Sequence, residues 1–158
     1  YVREQATEFN LNTHQVIFEI TETALAHNLE TINVTIRELK QLGFRFSLDD
    51  FGTGYSSLYY FSKLELDEIK FDKKFVDEIL TDERNYTLFD SFAKLFKSLG
   101  ISTVVEGIET IDQYECIRKI ETDYCQGYYF GKPTQYSDFV SFIKEQSDLV
   151  SDLELSME

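Results

Sequence analysis

The chain has one proline, two cysteines, seven glycines and no tryptophan. So little proline and glycine excludes a linker or a low-complexity chain. Two cysteines, Cys116 and Cys125, cannot build a disulfide framework and stand in no metal-ligand spacing. They read as buried or idle thiols of a reducing compartment. No apolar run approaches the roughly 20 residues of a membrane-spanning helix, and no secretory leader opens the sequence. The start at Tyr1 reads as that of a fragment or a processed product. Positive charge is also scarce, since 15 Lys and Arg against 29 Asp and Glu leave a net charge of −14. Such a surface does not grip a nucleic acid polymer through its phosphates, and it makes no direct contact with an anionic membrane. If the chain handles a phosphate-bearing small molecule, metal ions must supply much of the attraction.

What is present suffices for a folded domain, because 42% of the 158 residues are hydrophobic and 15% aromatic. One pattern recurs along the chain. A β-rich run, Val16 to Ile20, leads into a helical stretch from about Ala24 to Leu42, closed by Gly43. Phe44 to Leu48 is strand-like and ends on Asp49-Asp50. Ile69 to Phe71 is a third strand, and Asp72 is placed to cap a helix through about Leu80. Phe89 to Leu99 carries apolar residues at helical spacing. Ile101 to Val105 is a fourth strand ending on Glu106, followed by a helix from Gln113 to Ile120. Tyr124 to Phe130 reads as a fifth strand and Phe139 to Lys144 as a last helix. Strand alternating with helix predicts an α/β fold with a parallel sheet in one domain, residues 1–146, followed by a solvated acidic tail, 147–158.

In such folds functional side chains gather at the carboxyl ends of strands. Glu19, Asp49, Asp50, Lys70, Glu106 and Gln126 all fall within or at the ends of predicted strands. Asp49 and Asp50 repel each other unless a cation lies between them, and a divalent metal is the usual solution. Singly, the others are ambiguous. Glu19 could face outward on an edge strand, and Lys70 could pair with any surface acid. Glu22 complements the dipole of the helix it opens. Asp72 reads more readily as a helix cap than as a ligand. Glu109 and Gln126 carry no signal by themselves.

Together these residues resemble one family. Five segments carry the resemblance: Phe18 to Thr23 (FEITET), Asp49 to Leu58 (DDFGTGYSSL), Leu66 to Val76 (LDEIKFDKKFV), Val105 to Thr110 (VEGIET) and Gln126 to Pro133 (QGYYFGKP). In order and spacing they resemble the EAL domain, the cyclic-di-GMP phosphodiesterase module of bacterial signalling proteins. The resemblance implies a two-metal hydrolase that opens cyclic-di-GMP to linear pGpG with Mg²⁺ or Mn²⁺. It implies metal ligation by Glu19, Asp49, Asp50 and Glu106, with Lys70, Glu106 and Asp50 in catalysis. Gln126 and Asp72 would meet the substrate, and Glu22 and Glu109 would support the loop from Asp49 to Leu58. A cytoplasmic location, or the cytoplasmic portion of a larger and membrane-anchored protein, follows from that substrate class. The alternative is a non-catalytic relative that senses the dinucleotide or binds a protein partner.

The departures matter as much. The Glu-Ala-Leu triplet that names the family does not occur, and neither does its upstream asparagine ligand; Asn10 and Asn12 lie too close to Glu19 to serve. The expectation is therefore a partial TIM-like (β/α) barrel with about five strands, its amino-terminal strands missing. It corresponds to the carboxy-terminal two-thirds of an EAL domain, little active by itself. An open barrel exposes unpaired strand edges. Association with another copy, or with the missing half of the domain, is expected to cover them, and a well-folded strict monomer in analytical ultracentrifugation is the contrary outcome.

Overall fold

The computed structural model describes residues 2–52 and 63–155. Most of the loop motif, Thr53 to Leu58, thus lies outside the described residues. The chain opens with α1 (Val2–Glu8) and a 3-10 turn (Thr13–Gln15), in which Asn12 accepts a hydrogen bond from the His14 amide. Then follow β1 (Ile17–Thr21), α2 (Glu22–Lys40), β2 (Arg45–Phe51) and β3 (Glu68–Phe71). The second half holds α3 (Lys73–Ile79), α4 (Glu83–Ser98), β4 (Ser102–Val105), α5 (Ile111–Ile117), β5 (Tyr124–Cys125) and α6 (Tyr136–Leu155). The five strands form one open, wholly parallel sheet in chain order, the half-barrel topology expected of strand–helix alternation. No helix among the described residues is long and apolar enough to cross a membrane.

Successive residues of a strand point to opposite faces, which decides what each strand contributes. One face carries Phe46, Leu48, Ile69, Phe71 and Val105, all buried beneath the helices with Leu25, Ile36, Val76, Phe89, Ala93 and Phe96. An aromatic cluster forms its centre: Phe71 and Phe89 lie 4.3 Å apart between ring centroids, and Phe51 meets Phe71 edge-on at 5.4 Å. The other face carries Glu19, Arg45, Glu68 and Lys70, which line a polar cavity of about 370 Å³. Two aspartates lock the strand starts. Asp67 accepts from the Phe46 amide at 2.9 Å and pairs with Lys40 at 2.7 Å, and Asp123 accepts from the Thr103 amide at 2.8 Å.

Several boundaries differ from the pattern-based expectation. α4 begins at Glu83 rather than Phe89, because its first turn is polar and is started by the Asp82 cap, which accepts from the Arg84 amide at 2.8 Å. β5 is two residues long instead of seven. After Cys125 the Gln126 amide still bonds Val105, but Gly127 then passes so close to Ile108 that a Cβ there would stand 2.1 Å from the Ile108 carbonyl oxygen. The Phe130 and Gly131 amides then bond the Gly127 carbonyl, curling the segment into a turn. The last helix extends well past Lys144, to Leu155.

One irregularity sets up the site. Strict alternation from Phe46 and Leu48 would send the Asp50 carboxylate into the helix-side core and turn Phe51 away from it. Instead the β2–β3 register shifts between Leu48 and Phe51, and Asp50 takes a left-handed backbone with φ of 58°. This bulge returns Phe51, 2% exposed, to the core and keeps the second carboxylate out of it. A β-branched residue has no low-energy conformation at such a φ, whereas glycine does. Asp50→Val is expected to lose about 1–3 kcal/mol of stability and Asp50→Gly far less, read as urea midpoints.

Candidate active site

The site is built at the carboxyl ends of the parallel strands, with Lys70 of β3 at its centre. Its ammonium donates to Glu19 Oε1 of β1 at 2.8 Å and ion-pairs with Glu106 Oε1, just beyond β4, at 2.7 Å. Asp49 Oδ1 of β2 lies 3.1 Å away as an ion-pair partner, although the angle does not make it a hydrogen-bond acceptor. Register explains the convergence: Thr21 pairs with Asp49 across β1 and β2, and Lys70 pairs with Val104 across β3 and β4. Gln126, placed by the Val105 bond that ends β5, donates its side-chain amide to the same Glu106 Oε1. Three strand ends thus deliver carboxylates to one buried nitrogen, and Gln126, just beyond β5, holds one of those carboxylates.

Burial alone would lower the Lys70 pKa, but its contacts with Glu106, Glu19 and Asp49 outweigh this and hold it above the ordinary lysine value. The ammonium is therefore permanently charged at neutral pH. The carboxylates differ in access: the Glu19 side chain is 53% exposed, against 22% for Asp49 and 19% for Glu106.

A cleft of about 810 Å³ adjoins this cluster, walled by Asp72, Lys73, Glu106, Gln126, Tyr128 and Phe139. Asp72 caps α3, its Oδ1 accepting from the Lys74 amide at 2.9 Å, while also facing the cleft. Glu109 pairs with Lys73 at 2.6 Å across the cleft wall. Glu22 is buried in the first turn of α2, 2% exposed, and neither carboxylate oxygen has a hydrogen-bond partner among the described residues. The supporting role expected of Glu22 and Glu109 falls largely on residues 53–58, outside the described residues. Asp50 sits at the bulge, next to Asp49 in sequence.

Some contributors escaped the sequence reading. Lys132 stands 5.5 Å above the Tyr128 ring, and Lys73 carries a pKa raised by the Glu109 contact. Gln113 accepts from the Glu109 and Thr110 amides at 2.8 and 3.0 Å and reaches Asp77 of α3, steadying the turn beyond Glu106. Its signal was legible as Thr110-x-x-Gln113, a capping box. Cys125 lines the polar cavity beside Lys70 and Gln126, and burial pushes the thiols of Cys116 and Cys125 up, which disfavours the reactive thiolate.

Mg²⁺, Mn²⁺ and Ca²⁺ prefer carboxylate oxygens, and Glu19, Asp49 and Glu106 supply that donor chemistry around one point. Glu106 borders the 810 Å³ cleft and Glu19 the 370 Å³ polar cavity, each able to admit a ligand. The residues present therefore fit such an ion in kind.

The parallel α/β half-barrel thus gathers acids and a lysine at its strand ends. The EAL domain family model matches residues 1–133, and the chain belongs to that family. Cyclic di-GMP phosphodiesterase PdeB of Shewanella oneidensis is 33% identical over 139 residues, covering 88% of this chain and 16% of PdeB. The chain thus spans about a sixth of that relative's length. PaMucR phosphodiesterase, solved as a c-di-GMP complex, superposes with a TM-score of 0.81 at 30% identity, over 87% of this chain and 56% of its own. Klebsiella pneumoniae BlrP1, solved with c-di-GMP and manganese, gives a TM-score of 0.79 at 27% identity, over 84% of this chain and 34% of its own. A further BlrP1 complex contains calcium.

Removing the ammonium leaves three acids facing one another. Lys70→Met is expected to cost about 3 kcal/mol, the lower end for a broken buried ion pair because Glu19 is half exposed. The folded pKa is raised, so this stabilisation is complete below the ordinary value of 10.5 and is lost as pH rises through the folded value. Urea unfolding of both forms from pH 7 to 11 should show a constant difference that shrinks only above about pH 10.5.

Proposed function

We propose that this chain forms the carboxy-terminal part of a cyclic-di-GMP phosphodiesterase domain that opens one ester of the cyclic dinucleotide to give linear pGpG. The observation that carries the reading is the convergence of Glu19, Asp49 and Glu106 on Lys70 at the ends of parallel strands, with Gln126 bonded to Glu106. The name of PdeB and the ligands of PaMucR and BlrP1 support the same substrate class.

Phosphodiester hydrolysis needs an oxygen nucleophile at neutral pH and relief of negative charge on the phosphoryl oxygens. Two divalent ions, Mg²⁺ or Mn²⁺, held by Glu19, Asp49, Asp50 and Glu106, would supply both by acidifying water and neutralising the phosphate. The chain's own residues do the rest. Lys70 keeps its proton at Nζ and presents it to the attacking oxygen or the scissile phosphate. Glu106, fixed by Gln126, is placed to accept the proton that the nucleophile releases. Gln126 and Asp72 border the cleft where the nucleotide would lie, and Tyr128 offers an aromatic face. The net negative charge makes metal-assisted capture of an anionic substrate the coherent route. We place this activity in the cytoplasm, where a nucleotide messenger is turned over.

The sequence contains neither Glu-Ala-Leu nor the family's upstream asparagine, so turnover by this chain alone should be at background. The test is cyclic-di-GMP hydrolysis with Mg²⁺ or Mn²⁺, read as pGpG. It compares the chain alone with the chain joined to the Glu-Ala-Leu-bearing amino-terminal segment of an EAL relative. Expected are turnover only in the joined form and its loss in Asp49→Asn, by at least a hundredfold. Robust turnover by the chain alone contradicts the inactivity. Tight binding without turnover in the joined form replaces the enzyme with a dinucleotide sensor.

A further inference from the structure

Lys70 is the only group that touches all three carboxylates of the cluster among the described residues, and it is 8% exposed. Its contacts, 2.7 to 3.1 Å, are those of an ammonium. Mg²⁺ or Mn²⁺ instead draws oxygens to about 2.0–2.2 Å and takes several at once. Among the described residues no three acidic, histidine or cysteine side chains stand close enough together to hold a metal. Yet Glu19, Asp49 and Glu106 all reach a single nitrogen. The cluster is organised around a monovalent cation of its own.

We propose that Lys70 is a built-in counterion of this cluster, and that a divalent ion binds Glu19 and Asp49 only by displacing the Lys70 ammonium from them. The inference rests on the metal-dependent reading above. A dication bonded to an oxygen that also touches Nζ would stand within about 5 Å of the ammonium, a strong like-charge contact beside the largely shielded Asp49 and Glu106. The ammonium must therefore move. Glu19 is the arm that can let go, because its side chain is half exposed while Asp49 and Glu106 are held more deeply. Glu106 is also anchored by Gln126, so Lys70 keeps one partner as it leaves the other two. Three consequences follow from this exchange. The acids stay gathered when no metal is bound, metal affinity is lowered by the competition, and the released ammonium is free to face an incoming phosphate.

The experiment follows the Lys70 ammonium resonance by ¹⁵N NMR of lysine-labelled chain during a Mg²⁺ titration, with binding measured in parallel by calorimetry. Expected is an Nζ signal that moves or broadens in step with Mg²⁺ occupancy. Calorimetry with Mn²⁺ should show Lys70→Met binding at least tenfold more tightly than the unmodified chain. Binding by the variant alone also supports the exchange, since the counterion then blocks the site outright. Mg²⁺ binding with an unmoved Lys70 signal overturns the exchange and leaves the metal-dependent reading standing. Absence of binding to both forms when each is joined to the Glu-Ala-Leu-bearing segment overturns the two together. If Lys70→Met does not fold, Lys70→Gln takes its place, and the NMR titration of the unmodified chain decides.

Discussion

A buried ammonium shared by three carboxylates is the constraint around which the sheet's functional end is arranged. One nitrogen 2.7 to 3.1 Å from Glu106, Glu19 and Asp49 fixes how β1, β2, β3 and the end of β4 stand relative to one another. A shift of any strand by one residue would turn its acid to the other face and leave an unpaired charge among apolar side chains. The ion cluster therefore acts on register as well as on chemistry. The overall acidity of the chain makes the same point on a larger scale, since few cations are available and this one serves three acids.

The bulge at Asp49-Asp50 solves a conflict between core and site. β2 must give Phe46, Leu48 and Phe51 to the helix side and a carboxylate to the open face. Period-two alternation cannot do both across six residues that include adjacent acids. Shifting register at Asp50 lets Phe51 pack with Phe71 and Phe96 while Asp49 keeps its contact with Lys70. The cost is a left-handed backbone at a non-glycine residue, a form of strain common where catalytic groups are aimed. Core packing and site geometry are thus two outcomes of one backbone event.

What was legible in the sequence follows the same physics. Apolar runs that contain Glu19 and Lys70 or end on Asp49 and Glu106 marked the strands and the mouth, and the five strands appear in the expected parallel order. Asp72 was readable as a cap because a short acceptor before a helix has one obvious use. The bulge was not readable, since periodicity assumes the regularity that a bulge breaks. The start of α4 was hidden because polar first turns carry no apolar period. β5 was overestimated for a related reason: Tyr128, Tyr129 and Phe130 have strong strand propensity, but the close approach of Gly127 to Ile108 is a tertiary fact. The clustering around Lys70 was anticipated only as convergence at a mouth. That a lysine would sit among the acids required distances.

The two edges of the sheet are unequal, and this bears on how the half-barrel is completed. β5 offers only two residues for pairing, and its Tyr124 is 61% exposed. β1 offers five, beside a groove of about 460 Å³ lined by Phe18, Ile20, Ile32, Ile36 and Leu39. A strand added at β1 would gain a longer hydrogen-bond ladder and cover more apolar surface than one added at β5. It would also run alongside Glu19, the most exposed acid of the cluster. Under the proposed function, amino-terminal strands carrying a Glu-Ala-Leu ligand would join this edge in the chain order that the five strands follow. Covering β1 would strip water from Glu19 just where its contact with Lys70 is most exposed. Under that proposal, closing the barrel and the chemistry of the cluster would be one process, because β1 carries both the open backbone and Glu19.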